Sequence, residues 1–285
     1  MNTFDQVAEN VYLLKIPFGP VWTGVVLLRG SENILIDSGA TARDVDEVLV
    51  PALKELGLDI GDIHYLVNTH SHGDHIGGNF RLRQLLDFKV AAYAGAAPKV
   101  EDPVPYAIAT RTKFPAYSPA PQSFLKGVQV DVILQDGQVL ADRLQVLHTP
   151  GHDDDCVCLL DLPTGTLITG DSLQGNGTIC QGVGFYKSLP GYLYTLDKLQ
   201  KTNIKTILCG HDYDGIGYIS SEPEKTLAYC RSRVDAYGTF IENHKHEAPA
   251  AIAESLIETQ GCGMPERLFM ALYTVTEHLT EDKNV

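Results

Sequence analysis

Three histidines and an aspartate crowd one short stretch, Thr69-His70-Ser71-His72-Gly73-Asp74-His75, in the order H-x-H-x-D-H. Imidazole nitrogen and carboxylate oxygen are the donor types that suit Zn2+ and related first-row metals. In an extended stretch the i, i+2 spacing turns His70 and His72 to the same side. Asp74 and His75, in the bend that follows, can then point at a neighbouring second position. One loop cannot close two coordination shells, so further donors are expected downstream. Three candidates stand in small-residue turns at the ends of expected strands: His152 in Thr149-Pro150-Gly151-His152, Asp171 in Thr169-Gly170-Asp171 and His211 in Cys209-Gly210-His211. Each alone is an ordinary surface or core residue; together with the first cluster they form a candidate metal centre. His64, His148, His244, His246 and His278 lack such company and read as structural or solvent-exposed.

The elements that must position these groups are those of an α/β fold. Residues 11–16, 24–28 and 33–37 are β-rich runs separated by turns. Helical spacing follows over 41–56, where Pro51 predicts a kink or an interruption. A strand over 63–68 ends where the histidine cluster begins, and a helix over 76–86 follows. The cluster therefore sits at a strand's C-terminal end, where open α/β sheets place ligands. Between 97 and 127 prolines interleave with Tyr106, Phe114, Tyr117 and Phe124, which reads as a long surface connection or as a lid over a site. Strands are expected over 128–134, 144–148, 156–160, 166–169 and 205–209, and a helix over 191–201. From 222 onward the pattern is helical, near 222–242, 249–258 and 265–279. The expected organisation is a catalytic unit over 1–221 and a helical C-terminal extension over 222–285 packed on it.

Composition excludes several partners. Hydrophobic residues make up 44% and charged residues 20% of the 285, enough for a sizeable core. The formal charge of −14 disfavours nucleic acid and anionic membrane surfaces, both of which reward clustered Lys and Arg. No window approaches the ~18 apolar residues of a membrane span. Met1 to Asp5 leads into a polar stretch without a basic start, so no targeting segment is expected and a cytoplasmic location is. The six cysteines are scattered, unlike a disulfide scaffold. Cys156 and Cys158 read as buried structural thiols, with a ligand pair as the sharper alternative. The glycine-rich 175–184 segment lacks a phosphate-loop pattern.

The H-x-H-x-D-H motif followed in order by His152, Asp171 and His211 resembles the metallo-β-lactamase superfamily. It looks like the glyoxalase II-type hydrolase branch more than like true β-lactamases. The likeness covers roughly residues 7–215, since Asn10-Val11-Tyr12 and Ile34-Leu35-Ile36-Asp37-Ser38-Gly39 also look like that family's opening strands. It implies an αββα sandwich with metals at one edge, between two sheets. It places His70, His72 and His152 on a first metal and Asp74, His75 and His211 on a second, with Asp171 bridging. Asp37 falls on the aspartate that orients the ligand loop.

Departures narrow the reading. The best-known zinc β-lactamases carry Cys where this chain has Asp171, which favours a dinuclear esterase-type site. Flavodiiron reductases carry Glu at the position of His72 and an added flavodoxin domain, and neither is present. The glutathione-binding basic residues of true glyoxalase II are not recognisable. Two divalent ions are expected, Zn2+ first and Fe or Mn as alternatives. Metal-bound water has its pKa lowered from about 15.7 to about 7, and a bridging hydroxide would attack a thioester, a lactone or another ester. Asp74 would orient that nucleophile or shuttle its proton. Two other classes stand beside this one: a non-catalytic metal-binding sensor or interaction protein, and an iron-dependent oxygenase on the same fold. The expected partner is a small-molecule substrate, and the helical extension could support a homodimer. Tyr186 and Lys187 could offer a hydroxyl and a cation to a carboxylate, against the plainer reading of a solvated surface pair.

Overall fold

Runs in which apolar side chains face alternate sides pair into two sheets that share one interior. The computed structural model describes residues 3–263, 265 and 268–281. The first sheet runs in sequence order: β1 (Asp5–Ala8), β2 (Val11–Phe18), β3 (Val21–Leu28), β4 (Asn33–Ile36), β5 (Ile63–Asn68), β6 (Lys89–Tyr93) and β7 (Val132–Leu134). Neighbours are antiparallel from β1 to β4 and parallel from β4 to β7. Parallel neighbours need crossover connections, and here these are helical. They are α1 (42–55), α2 (Gly73–Ile76), α3 (Asn79–Leu85), α4 (Ala97–Glu101) and α5 (Pro103–Thr112).

The second sheet is β8 (Val139–Leu140), β9 (Leu144–His148), β10 (Val157–Asp161), β11 (Thr166–Ile168), β12 (Thr206–Tyr213) and β13 (Gly217–Ser220). Its β11–β12 pair is parallel and is bridged by α6 (Leu189–Gln200). The chain then forms α7 (Pro223–His244), α8 (Pro249–Gln260) and α9 (Phe269–Glu281).

Period-two alternation decides the layers. Val11, Leu13, Val26 and Leu28 face inward and meet Val146, Val157, Leu159 and Leu208 of the other sheet. The opposite face of the first sheet, with Leu14, Ile16, Val25 and Leu27, packs on Val45, Leu49 and Leu53 of α1 and Leu82 of α3. The outer face of the second, with Cys158, Leu160, Leu167 and Ile207, packs on Leu196, Val234, Leu256 and Val275. The result is the helix–sheet–sheet–helix sandwich, and α7 to α9 complete its last layer.

Local differences from the sequence pattern have identifiable causes. Pro51 does not break α1. The turn before it, Val45–Leu49, is wound as a π-helix in which Val50 N reaches Val45 O, and Pro51 falls in the first turn of the α-helical Val50–Glu55. The 97–127 segment is partly helical, because Pro98 and Pro103 occupy first turns, where their missing N–H costs nothing. Strands β1, β6, β8 and β13 were too short or too polar to announce themselves. The helix expected from 265 begins at Phe269, and 264, 266 and 267 lie outside the described residues. Cys156 and Cys158 are buried and free, and burial holds the Cys158 thiol up at about 11, so both pack as small apolar groups. Among the described residues no helix is long and apolar enough to cross a membrane.

Docking of α9 leaves a pH signature. His278 Nε2 lies 2.7 Å from Tyr186 Oη, and burial pulls its pKa from 6.5 down to about 4. Below 6.5 the unfolded chain binds a proton that the folded chain refuses, so stability falls as pH drops toward 4. Denaturant midpoints of His278→Gln and the unaltered protein, taken at about pH 7 and about pH 5, should show a shallower acid loss in the variant. Identical losses would contradict the assignment.

Candidate metal centre

All seven sequence-derived donors come together at one edge of the sandwich. His70 and His72 follow β5, and Asp74 and His75 lie in α2; His152 sits between β9 and β10, and Asp171 follows β11. His211 was expected in a turn after a strand but lies within β12, at the register irregularity between Leu208 and Tyr213. Gly210 beside it has no room for a side chain, because a Cβ there would lie 2.7 Å from Asp171 Oδ1.

One group comprises His70, His72, His152 and Asp171, and a second comprises Asp74, His75 and His211; within each, donor atoms lie within 4.8 Å of one another. Asp171 touches both groups. Its Oδ2 is 3.4 Å from His152 Nε2 and 3.4 Å from His211 Nε2, and its Oδ1 is 3.3 Å from His75 Nε2. Asp74 Oδ2 is 3.3 Å from His211 Nε2 and 3.6 Å from His75 Nε2.

Each imidazole is turned by a bond on its far nitrogen, which selects the tautomer. His75 Nδ1 donates to Asp37 Oδ2 at 2.8 Å, His152 Nδ1 to the Phe185 carbonyl at 3.0 Å and His211 Nδ1 to the Trp22 carbonyl at 2.6 Å. His70 Nδ1 is 3.1 Å from Thr69 Oγ1. These four rings therefore direct Nε2 inward. His72 is reversed. Its Nε2 faces Asp153 at 3.2 Å and Tyr106 Oη at 3.2 Å, leaving Nδ1 2.9 Å from His152 Nε2. Asp37 also accepts from Thr69 N at 2.9 Å and Thr69 Oγ1 at 2.7 Å, with its own φ at +61°. A non-glycine residue in the left-handed region is strained, and such strain concentrates at functional sites.

The donor set fits a metal on this structure's own terms. His70 Nε2, His75 Nε2 and Asp171 Oδ1 are buried without hydrogen-bond partners, a costly condition that coordination relieves. Electrostatics agree. Burial, with His75 and His72, holds His70 well below the usual histidine range, and burial with His72 brings His152 to about 3, so both keep a free lone pair. At His75 and His211 burial also disfavours charge, but Asp171 outweighs it, and His211 rises to about 10. Burial raises Asp74 and Asp171, yet His75 and His211 pull both below the carboxylate range. A buried and a half-buried carboxylate this close together demand positive charge between them, which divalent cations supply.

Residues without a sequence signal complete the surroundings. Asp153 accepts from Tyr106 Oη, from Lys187 Nζ at 2.5 Å and from Lys99 Nζ at 3.3 Å. Lys187 is thus tied to Asp153, Tyr106 and Thr110, and Tyr186 is buried, so neither is a solvated surface residue. The glycine-rich segment curls beside the centre. Gln174 Nε2 donates to the Asp171 carbonyl at 2.6 Å, and Gln174 Oε1 accepts from Phe185 N at 3.2 Å. An open cleft leads onto Asp74, Asp171 and His211, walled by Tyr106, Arg111, Leu125, Gln181, Phe185 and Phe269. The 97–127 segment therefore covers the site, with Tyr106, Arg111 and Leu125 as its contribution.

The family model of the metallo-beta-lactamase superfamily matches residues 16–211. The chain belongs to that superfamily. Over 201 residues it is 31% identical to the human acyl-coenzyme A thioesterase MBLAC2, covering 65% of this chain and 71% of that protein. Over 244 residues it is 25% identical to an atrochrysone carboxyl ACP thioesterase of Pseudocercospora fijiensis, covering 84% of this chain but only 62% of that protein. Over 230 residues it is 30% identical to a human mitochondrial persulfide dioxygenase, covering 75% and 74% respectively. Among solved structures, a metallo-beta-lactamase family protein from Thermus thermophilus superposes with a TM-score of 0.79 at 21% identity, over 98% of this chain and 95% of that one. At that identity the likeness speaks for the fold.

Because Asp37 sets the pose of both Thr69 and His75, Asp37→Ala should weaken metal affinity by about 10- to 100-fold. Competition against a fluorescent chelator measures it. Unchanged affinity would remove Asp37 from this role.

Proposed function

We propose that the chain is a metal-dependent hydrolase that cleaves thioesters, with His70, His72 and His152 holding one ion, Asp74, His75 and His211 the other, and Asp171 shared. The observation that carries this reading is the position of Asp171 within reach of both donor groups, each otherwise filled by nitrogen and oxygen donors. Such a set suits Zn2+ and also accommodates Fe or Mn. Ions bound there supply a Lewis acid and an activated water whose pKa falls from about 15.7 to about 7.

The chain's own residues do the remaining work. Asp74 Oδ2 accepts from Thr23 Oγ1 at 3.3 Å, which holds a carboxylate at the cleft floor where it can orient water and take its proton. Phe18, Val21, Leu125, Phe185 and Met270 give the cleft apolar walls for an acyl chain. The Tyr106 hydroxyl that reaches the cleft is already engaged by Asp153 and is not free to protonate a leaving group. A thiolate leaves without protonation, whereas an amine does not. Two relatives named as thioesterases support the same substrate class. A lactone or an activated ester meets the same chemical requirement.

The relative named as a persulfide dioxygenase keeps an iron-dependent oxidation as the second reading. The second donor group of Asp74, His75 and His211 argues for hydrolysis, because a single-metal oxygenase has no use for it. A non-catalytic sensor, in turn, has no use for an apolar cleft opening onto the donors.

Purified protein should contain about two equivalents of metal. His75→Ala and Asp171→Ala should each lose metal and lower thioester hydrolysis by about 100-fold or more. Full hydrolysis by chelator-stripped protein, or oxygen consumption in place of hydrolysis, would overturn the proposal.

A further inference from the structure

The cleft over the centre holds a cation, Arg111, that has no ion-pair partner among the described residues. Arg111, near the end of α5, lines the cleft together with Asp74 and His72. Its guanidinium lies over the Phe269 ring, with Cζ 4.1 Å from the ring centroid. Its Nη1 is buried and has no hydrogen-bond partner, and among the described residues no carboxylate lies in ion-pair range. Lys99 and Lys187, the other cations near the donors, are both committed to Asp153. Burial lowers the Arg111 pKa while the field of Asp74 opposes that, and arginine stays charged through such shifts.

An unpartnered buried guanidinium edge is expensive. Stacking on Phe269 holds the plane of the fork but leaves its N–H groups unused. The fork is pre-formed for a planar oxyanion, since guanidinium N–H groups pair bidentately with carboxylate or phosphate. The site is also held in place. Tyr273 Oη donates to the Thr110 carbonyl at 3.0 Å, and Lys187 Nζ donates to Thr110 Oγ1 at 3.2 Å, so the last turn of α5 is pinned beside the centre. In a chain of net charge −14, an anionic ligand is repelled at long range, and a local cation with no ion-pair partner among the described residues offsets that.

We propose that Arg111 is an oxyanion-binding subsite of the cleft, so that the preferred substrate carries a carboxylate or phosphate-type group remote from the bond that is cut. This rests on the hydrolase reading only for the word substrate; the binding of an anion at Arg111 stands apart from it. The oxyanion can belong to the acyl half or to the thiol half of a thioester.

Three synthetic thioesters separate these sources. Glutaryl-N-acetylcysteamine carries the anion on the acyl half, the pentanoyl ester of 3-mercaptopropionate carries it on the thiol half, and pentanoyl-N-acetylcysteamine carries none. One of the charged substrates should exceed the neutral one in kcat/KM by about tenfold or more, mainly through KM. Arg111→Met should erase that preference, lowering kcat/KM for the favoured charged substrate about tenfold more than for the neutral one, and Arg111→Lys should restore part of it as a point charge. Equal loss on all three substrates at full metal content would make Arg111 structural and overturn the inference. So would a preference for the neutral substrate. Calorimetry of the metal-loaded protein with glutarate and with pentanoate gives a readout independent of turnover, and of the variants should they fail to fold. Tighter glutarate binding sustains the subsite even if no thioester is cleaved, and equal binding of the two acids sinks it.

Discussion

Asp171, buried, and Asp74, half-buried, lie within reach of the same two histidines, and carboxylates so placed cannot both ionise without compensating positive charge. Their surroundings meet that requirement in two ways. His75 and His211 are drawn toward the charged state by Asp171, while His70 and His152 are held neutral by burial and by the neighbouring His72. The centre therefore offers neutral lone pairs on one side and strong demand for cations on the other. Metal binding to such a site releases protons and joins the stability of the loops to the stability of the centre.

The sandwich exists, in functional terms, to keep five imidazoles from turning away. The donors lie at strand ends or, for His211, within β12, and four of the rings are held on the far nitrogen by a group from another part of the fold, His70 by the adjacent Thr69. Trp22 of β3 orients His211 of β12 across the two sheets, and Asp37 after β4 orients His75 after β5. The close approach of Gly210 to Asp171 keeps β12 against the β11 loop, at a distance only glycine allows. Rigid layers position the donors, and the irregular chain between them, especially 97–127 and 175–185, shapes the cleft.

Much of this was legible from residue types. The β-rich runs over 11–16 and 24–28 announce strands, and the seven donors are legible because each stands beside a glycine or within two residues of another donor at the end of an apolar run. Asp37 was legible only through family resemblance, because nothing local marks a lone aspartate after an apolar strand. The roles of Asp153, Tyr106 and Arg111 could not be read, since they depend on α4 and α5 meeting the loops after β5 and β9, a long-range arrangement without periodic signal. Prolines hid those two helices, since Pro98 and Pro103 mark first turns as readily as they mark loops. Lys187 misled in the opposite direction: a lysine ahead of a helix reads as a solvated charge, yet its ammonium is enclosed by Tyr106, Thr110 and Asp153.

The central claim is that Asp171 is shared by two ions. Anomalous diffraction at the metal absorption edge, from crystals of the metal-loaded protein, tests it most directly. Two peaks are expected, one bounded by His70, His72 and His152 and the other by Asp74, His75 and His211, with Asp171 oxygens contacting both. A single peak, or two peaks of which Asp171 touches only one, would contradict it.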